Sequence, residues 1–270
     1  MALWIILLLA LLAGAGAFLA GLVLWKALLV FLGVFVGLNL LYVAFWYIVA
    51  RTVDRSKPLE KQSAICRFGC ASIAGWLSAW AGIHTTVSGE ELLPTDTRFL
   101  LVSNHRSLFD PIVKEYTLRK YNLAFISKPS NMAIPVISNL AWGAGFLAID
   151  RENDREALKT ILQAADYLKR DICSMVIYPE GTRSKTGELG PFHAGSFKIA
   201  QRARVPVVIA SIQGTEKALR HIPFHPTRVK LDILEVIPAE TVKAMSTQEL
   251  AEHSRDRIAK NLESILLQIG

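Results

Sequence analysis

The first fifty residues form the most apolar part of the chain and contain one charged side chain, Lys26. Lys26 separates two apolar stretches, Ala2–Trp25 and Ala27–Ala50, each of 24 residues. As a helix, either stretch would measure about 36 Å, enough to cross a hydrocarbon core about 30 Å thick. A cleaved signal peptide is the alternative, because residues 15–17 resemble a cleavage site. Since no basic residue precedes the first run and a second run follows at once, we predict a retained transmembrane helical hairpin over residues 1–50.

The basic residues predict on which side of the membrane the rest of the chain lies. Only Lys26 stands in the expected turn of the hairpin. Five basic residues follow the second stretch: Arg51, Arg55, Lys57, Lys61 and Arg67. Because short segments rich in Lys and Arg stay in the cytosol, everything after residue 50 is expected on the cytosolic face of the cell membrane.

A basic linker and one amphipathic helix are predicted between residues 51 and 85. Residues 51–62 are rich in charge and contain Pro58. Beyond them, large apolar residues recur at helical spacing, with small residues on the opposite side. The large positions are Ile65, Phe68, Ile73, Trp76, Leu77, Trp80 and Ile83. This stripe fits an interfacial helix anchored by its tryptophans, and it fits equally a helix packed on the core of the domain.

From Thr86 onward, short apolar strands alternate with amphipathic helices. Strands are predicted at residues 98–103, 124–127, 146–149, 174–178, 205–212 and 229–237. Helices are predicted at residues 110–121, 154–170, 195–203 and from the capping box at residues 246–249 to about Gln268. Alternation of this kind is typical of an α/β domain, which we assign to residues 86–270.

The composition limits the partners of this domain. The chain has 270 residues, is 52% hydrophobic and carries a net charge of +7. Such an excess suits an anionic membrane surface or a phosphate-bearing substrate, although ordinary surface charge would account for much of it. No zinc-finger spacing, aromatic RNA-binding signature or basic dimerisation helix occurs in the sequence. No nucleic-acid partner is therefore expected.

No metal site is predicted. Cys66, Cys70 and Cys173 lack a complete set of ligands at metal spacing, and we interpret them as small apolar fillers, reduced in a cytosolic domain. His221 and His225 have metal-like spacing, but a proline between them would break the helix needed to align them.

Two polar blocks, each after an apolar run, carry the candidate chemistry. The first contains His105 and Asp110. Histidine can take and return a proton near neutrality, and a nearby carboxylate can orient the imidazole and stabilise its charged form. Five residues of regular helix would leave the two side chains about 140° apart, so the segment must turn, with Asp110 at the start of the next helix. The second block supplies Arg183, whose planar guanidinium suits phosphate. The blocks therefore suggest a base for a hydroxyl and a site for an anion.

Four blocks in this order resemble those of the glycerolipid acyltransferase family, which includes the lysophosphatidic acid acyltransferases. They are Asn104–Asp110, Gly145–Arg151, Tyr178–Ser184 and Val205–Val208. Two departures occur: Tyr178 stands where Phe is usual, and Ala210 stands close to where a second proline is often found. The resemblance covers residues 85–215 and implies a mixed sheet flanked by helices, preceded here by the membrane hairpin.

The resemblance also implies a role for each matched residue. His105 would be the general base that deprotonates the acceptor hydroxyl, and Asp110 would orient it. The hydroxyl would then attack a thioester carbonyl directly, without an acyl-enzyme. The implied substrate-binding residues are Asn104, Lys128, Arg151, Glu180, Gly181, Thr182 and Arg183. The three basic side chains would hold a phosphate, whereas Glu180 and Gly181 would shape the acceptor pocket.

The implied function is acyl transfer from an acyl-carrier protein or coenzyme A thioester to lysophosphatidic acid, which makes phosphatidic acid. The thioester is a co-substrate, no cofactor is expected, and the other partners are membrane lipids. Glycerol 3-phosphate, another lysophospholipid or a lyso-aminolipid would use the same base. A membrane-anchored lipid binder without catalysis is the alternative from another class, although binding alone has no use for the base. The sequence leaves the donor, the exact acceptor and the oligomeric state open.

Overall fold

The computed structural model describes residues 2–56, 58–184, 188–222 and 225–269. The N-terminal helices are α1 (Ala2–Leu19), α2 (Leu24–Arg51) and α3 (Ala64–Trp80). The strands are β1 (Ile83–Ser88), β2 (Leu100–Ser103), β3 (Leu123–Ser127), β4 (Leu147–Ala148), β5 (Ser174–Ile177), β6 (Val207–Gln213) and β7 (Thr227–Ile237). The later helices are α4 (Phe109–Thr117), α5 (Pro135–Gly143), α6 (Asp154–Lys169), α7 (Lys198–Ala203), α8 (Ala218–His221), α9 (Ala239–Ala244) and α10 (Thr247–Ile269).

Helices α1 and α2 pack against each other as a hairpin, and both are long and apolar enough to cross a membrane. Large apolar side chains such as Trp4, Leu12 and Leu41 are exposed on their surfaces, whereas a core helix would bury them. The turn lies at residues 20–23, so the prediction that Lys26 occupies it was wrong. Lys26 stands in the first turn of α2, with its ammonium 5.4 Å from the centre of the Trp25 ring.

Helix α3 joins the hairpin to the rest of the chain. Its buried positions are mostly small, whereas the large side chain of Phe68 is 67% exposed. Gly69 lets the Trp46 ring of α2 approach closely, because a Cβ at this position would lie 2.7 Å from that ring. The Trp76 indole donates a 3.0 Å hydrogen bond to Asn39 of α2. The small face of α3 is therefore packed against protein, and part of its large apolar face is open.

Helix α2 is also an integral part of the packing. Trp46 is 3% exposed and belongs to a buried cluster with Cys66 of α3 and with Leu140 and Ala144, at the end of α5. Helix α2 is therefore packed against the rest of the chain through its C-terminal half.

A seven-stranded mixed sheet forms the centre of the α/β domain, in the order β1-β7-β6-β2-β5-β3-β4. All neighbouring strands are parallel except β6 and β7. Successive residues of β2 alternate between two cores: Leu100 and Val102 belong to one, and Leu101 belongs to the other. Since both faces are covered, the central strands are continuous apolar runs, which explains why they were recognisable in the sequence.

Most predicted elements are present, most of them with shorter bounds, and four were missed: β1, α5, α8 and α9. Strand β1 begins at Ile83, which we had assigned to the apolar stripe of α3, so the boundary drawn at residue 85 falls inside this strand. Helix α5 was not predicted, because its nine residues are too short to display a clear helical period. The predicted capping box is formed: Ser246 Oγ accepts from the Glu249 N–H, and Glu249 Oε2 accepts from the Ser246 N–H.

The parallel strands bring the polar blocks to one edge of the sheet. The first block follows β2, Lys128 follows β3, Arg151 comes three residues after β4, and the Tyr178 block follows β5. These four strands are neighbours in the order β2-β5-β3-β4 and point the same way. Ligands of open α/β sheets bind beyond the carboxyl ends of the strands, and the candidate residues lie there.

Candidate active site

His105 and Asp110 are in direct contact at the start of α4. The Nδ1 atom of His105 lies 2.7 Å from Oδ2 of Asp110. The same carboxylate oxygen accepts the backbone N–H groups of Arg106 at 2.7 Å and of Ser107 at 2.8 Å. The chain between the two residues is therefore a turn folded around the carboxylate, as the sequence predicted. With Nδ1 engaged, the other ring nitrogen, Nε2, remains as the atom of His105 that can act as a base.

Asp110 is buried, yet its surroundings favour the ionised carboxylate. Burial alone would raise its pKa, but the hydrogen bond with His105, the charge of Lys114 and the hydrogen bond from Thr215 outweigh it and lower the pKa. Thr215 Oγ1 donates to the second oxygen, Oδ1. A carboxylate held in this way can fix the tautomer of His105 and stabilise the imidazolium when the ring takes a proton.

The Tyr178 block holds His105 from the other side. The Glu180 carboxylate accepts the His105 N–H at 2.7 Å, and the His105 carbonyl accepts the Ser184 N–H at 2.9 Å. The Tyr178 ring stacks on the imidazole, with the ring centres 4.2 Å apart and the planes 17° apart. The orientation of His105 is therefore set by two loops that follow adjacent strands.

Two residues implied to bind substrate, Asn104 and Glu180, are buried and hydrogen-bonded to backbone groups. The Asn104 side chain is 2% exposed, and its amide both donates to and accepts from the backbone of Ile212 at 2.8 Å. Glu180 is 8% exposed, and its oxygens accept the N–H groups of His105 and Gly190. Both side chains are directed at backbone groups of neighbouring loops. Because buried polar groups are usually paired, these contacts explain why both side chains can be buried beside the cavity.

A cavity of about 640 Å³ opens beside His105. Its walls are mainly apolar and come from α3, α4, α5 and the loop after β3, with Ile73, Leu77, Ile112 and Phe125 as examples. Leu108 and Ile134 lie in the lining and are 44% and 46% exposed. A concave, largely apolar space with a base on its wall suits a reactant that carries a hydrocarbon chain.

Positive charge gathers at the polar side of this cavity. Lys128, Arg151 and Arg183 all line it and are exposed, as is Thr182. The Arg151 guanidinium reaches back to the Tyr178 carbonyl at 3.4 Å. Gly181 also lines the cavity and has φ of +77°, and a Cβ there would lie 2.8 Å from Arg151 Nη1. The glycine therefore leaves room for the arginine, and the three cations are placed to bind an anionic group.

Four contributors were missed by sequence reasoning. Thr215 lies 105 residues beyond Asp110, so nothing local linked the two. Lys114 is fully buried beneath the Tyr178 ring, 4.9 Å from its centre, and burial lowers its pKa to about 8. Tyr178 was noted only as a substitution for Phe. Glu115 is buried in the cavity wall. The polar sequence Lys114-Glu115 inside a predicted helix resembled an ordinary solvent-exposed face, which is why it gave no signal.

Comparison with known proteins identifies the family. Residues 84–213 match the family model described as Acyltransferase. A chloroplastic 1-acyl-sn-glycerol-3-phosphate acyltransferase of Brassica napus is 32% identical over 199 residues, which cover 69% of this chain and 55% of that protein. A 1-acyl-sn-glycerol-3-phosphate acyltransferase of Haemophilus influenzae is 26% identical over 206 residues, covering 74% of this chain and 85% of that protein. The chain thus spans little more than half of the plant relative and most of the bacterial one.

The fold has a counterpart among solved structures. The crystal structure of the 1-acyl-sn-glycerophosphate (LPA) acyltransferase PlsC from Thermotoga maritima aligns with a TM-score of 0.62 and 24% sequence identity. The alignment covers 84% of this chain and 95% of that one. The predicted mixed α/β architecture flanked by helices is confirmed by this likeness.

Proposed function

Residues 84–213 belong to the acyltransferase family, and on that premise we propose that the protein transfers an acyl chain from a thioester to the free hydroxyl of lysophosphatidic acid, making phosphatidic acid. The observation that carries this proposal is the position of His105. Its Nδ1 is bound to Asp110, and its ring lines a cavity with apolar walls and a cationic side. In lysophosphatidic acid, the hydroxyl would meet His105, the hydrocarbon chain would meet the apolar walls, and the phosphate would meet the cationic side.

The reaction proceeds in one displacement. Nε2 of His105 takes the proton of the acceptor hydroxyl as the oxygen attacks the thioester carbonyl carbon. The tetrahedral intermediate collapses and the carbon–sulfur bond breaks. The imidazolium returns its proton to the leaving thiolate, so the products are an ester and a free thiol. Asp110 stabilises the imidazolium between these steps and remains ionised.

The cationic side of the cavity selects and positions the acceptor. Arg151 and Arg183 each offer a planar donor fork, and Lys128 adds a mobile point charge. Because the arginines come from the loops after β4 and β5, a phosphate between them lies beside the loop that carries His105. The same contacts would hold glycerol 3-phosphate, but that acceptor has no chain to fill the apolar part of the cavity.

The hairpin would keep the site at the membrane surface where the lipid acceptor is found. Arg51, Arg55 and Arg67 follow the second span, which supports a cytosolic position for the catalytic domain. A cysteine introduced at exposed Ala20, in the turn of the hairpin, should react with a membrane-impermeant maleimide in intact cells. A cysteine at exposed Glu91 should react only after permeabilisation. Reversal of this pattern would place the domain on the other side.

The function itself is tested by acyl transfer with purified protein. Lysophosphatidic acid, glycerol 3-phosphate, other lysophospholipids and a lyso-aminolipid are each offered with acyl-carrier protein and coenzyme A thioesters. We expect phosphatidic acid from lysophosphatidic acid with at least one donor, and a rate lower by about 10²–10⁴ from the His105→Ala variant. Turnover of a different acceptor alone would contradict the assignment of lysophosphatidic acid, and no ester from any pair would contradict acyl transfer.

A further inference from the structure

Glu115 is a buried acid in the wall of the active-site cavity. It is 9% exposed and lies on α4, five residues after Asp110, which corresponds to about 7.5 Å along the helix axis. It lines the cavity together with Cys70, Ile73 and Leu77 of α3 and Ile112 of α4, and it also lines a smaller pocket with Arg67 and Arg119. Within the described ranges of the chain, its carboxyl group makes no hydrogen bond or ion pair.

The surroundings keep this acid neutral. Burial raises the pKa of Glu115 to about 8, and the charge of Arg67 offsets only part of that effect. A protonated carboxyl has one O–H donor and a carbonyl acceptor. Both are therefore offered to whatever fills the cavity at this depth.

An unmodified alkyl chain matches this wall poorly. It would cover the carboxyl group without replacing the hydrogen bonds that water can make to it, which penalises binding. A hydroxyl or oxo group on the chain would accept from the acid, and a hydroxyl would also donate to it. Sites built to hydrogen-bond a substrate oxygen discriminate strongly against analogues that lack it.

The location favours a chain over a headgroup. Glu115 faces α3, the helix that packs on the membrane hairpin, whereas the cations of the cavity follow β3, β4 and β5. The other residues that α3 and α4 contribute to the cavity wall are mainly apolar, as a hydrocarbon requires. The phosphate would be bound by the cations that follow the strands, so the acid is left to meet the hydrocarbon part of a reactant.

We propose that Glu115 forms a polar subsite for an acyl chain that bears a hydroxyl or oxo group several carbons from its carbonyl. This inference rests on the proposed acyl transfer and specifies the class of chain used. Either the donor or the acceptor could carry that chain, since both reactants have one. Glu115 is accordingly a specificity residue and takes no part in proton transfer.

Initial rates with matched chain pairs test the proposal. In one arm, plain and mid-chain hydroxylated acyl thioesters are used with a plain lysophosphatidic acid. In the other arm, a plain thioester is used with plain and hydroxylated lysophosphatidic acids. We expect the oxygenated chain to be preferred by about tenfold or more in kcat/KM in one of the arms, and that arm identifies the reactant.

Variants at Glu115 should change that preference. Glu115→Leu should abolish or reverse it while keeping transfer of plain chains, and Glu115→Gln, whose amide still hydrogen-bonds, should retain part of it. Glu91→Gln, at an exposed glutamate outside the cavity, is the matched control and should behave as the parent. Equal use of plain and oxygenated chains in both arms, unchanged by Glu115→Leu, would overturn the subsite.

Direct binding separates this proposal from the reaction. The affinity of detergent-solubilised protein for plain and hydroxylated lysophosphatidic acid, and for plain and hydroxylated acyl thioester, is measured without the second substrate. A preference for an oxygenated chain that disappears in Glu115→Leu supports the subsite even if no ester is formed. Equal affinities within both pairs, together with normal turnover, would leave the acyltransferase assignment intact and reject the subsite.

Discussion

The two ends of helix α4 hold carboxyl groups that are both buried and whose pKa values are shifted in opposite directions. Asp110, at the first turn, accepts hydrogen bonds from His105, two backbone N–H groups and Thr215, and its pKa is lowered. Glu115, five residues later, lines the cavity with mainly apolar residues, and burial raises its pKa to about 8 in spite of the charge of Arg67. Burial alone therefore does not decide the charge of a carboxyl group; the hydrogen bonds and charges that replace water do.

The two carboxyl groups of α4 are therefore suited to different functions. A carboxylate saturated with donors is fixed in position and charge, which is what a partner of a general base requires. A neutral acid with free hydrogen-bonding capacity can respond to what enters the cavity. The exposed arginines near the cavity form a third case: both line it, Arg151 also donates to the Tyr178 carbonyl, and a bound anion would add charge-assisted hydrogen bonds to both.

The largest effect is expected at the base that the first carboxylate supports. His105→Ala should lower kcat by about 10²–10⁴ while the protein stays folded, because the acceptor hydroxyl loses its proton acceptor. Turnover numbers and a thermal melt measure the two effects. His84→Ala, at an exposed histidine on β1, is the matched control. Near-normal turnover in His105→Ala would show that proton transfer does not pass through this ring.

The second-largest loss of activity is expected in Asp110→Asn, which removes the ionised carboxylate from α4. The amide removes the negative charge and replaces one acceptor oxygen with a donor that faces the N–H groups of Arg106 and Ser107. We expect a large loss of kcat with little change in the KM of the acceptor. Glu115→Gln is the comparison on the same helix and should retain turnover of plain chains. Equal losses in both variants would mean that α4 acts only as a structural support.

The exposed cations should affect binding more than turnover. Arg151→Ala and Arg183→Ala should each raise the apparent KM for a phosphate-bearing acceptor, since a charge-assisted hydrogen bond contributes about 1.5–3 kcal/mol, roughly ten- to a hundred-fold. The KM for the thioester should change less. Arg228→Ala, at an exposed arginine on β7, controls for general loss of positive charge. Equal changes for both substrates would indicate that the two arginines support the fold.

The smallest effect on turnover is expected in Glu115→Gln. This variant should instead change how the stability of the protein depends on pH. With its pKa raised to about 8, Glu115 retains a proton in the folded state that the unfolded chain releases near pH 4.5. The parent therefore loses stability as pH rises through this window, and the amide variant does not. We expect the variant to melt at a higher temperature than the parent at pH 8, because each pH unit of this window costs the parent up to about 1.4 kcal/mol, and at nearly the same temperature near pH 4.5. A gain independent of pH would show that Glu115 is already ionised or paired in the folded protein.

Local patterns determined a large part of this protein. Two apolar stretches of spanning length, the alternation of strands and helices and the cap at Ser246 are properties of neighbouring residues, and each was visible in the chain. The contact between His105 and Asp110 was predictable for the same reason, since a short turn joins them. Helix α5 and strand β1 are short and lack a clear period, so their positions depended on packing against the rest of the fold.

Only the tertiary structure decided what the polar residues do. Sequence order placed Asn104 and Glu180 beside the reactive residues, but the sheet directs their side chains to backbone groups of neighbouring loops, so they position the site. Thr215 reaches Asp110 because β2 and β6 are adjacent strands, a relation that no local pattern encodes. The different charge states of Asp110 and Glu115 likewise follow from partners brought together by folding, because a pKa depends on what replaces water around the group.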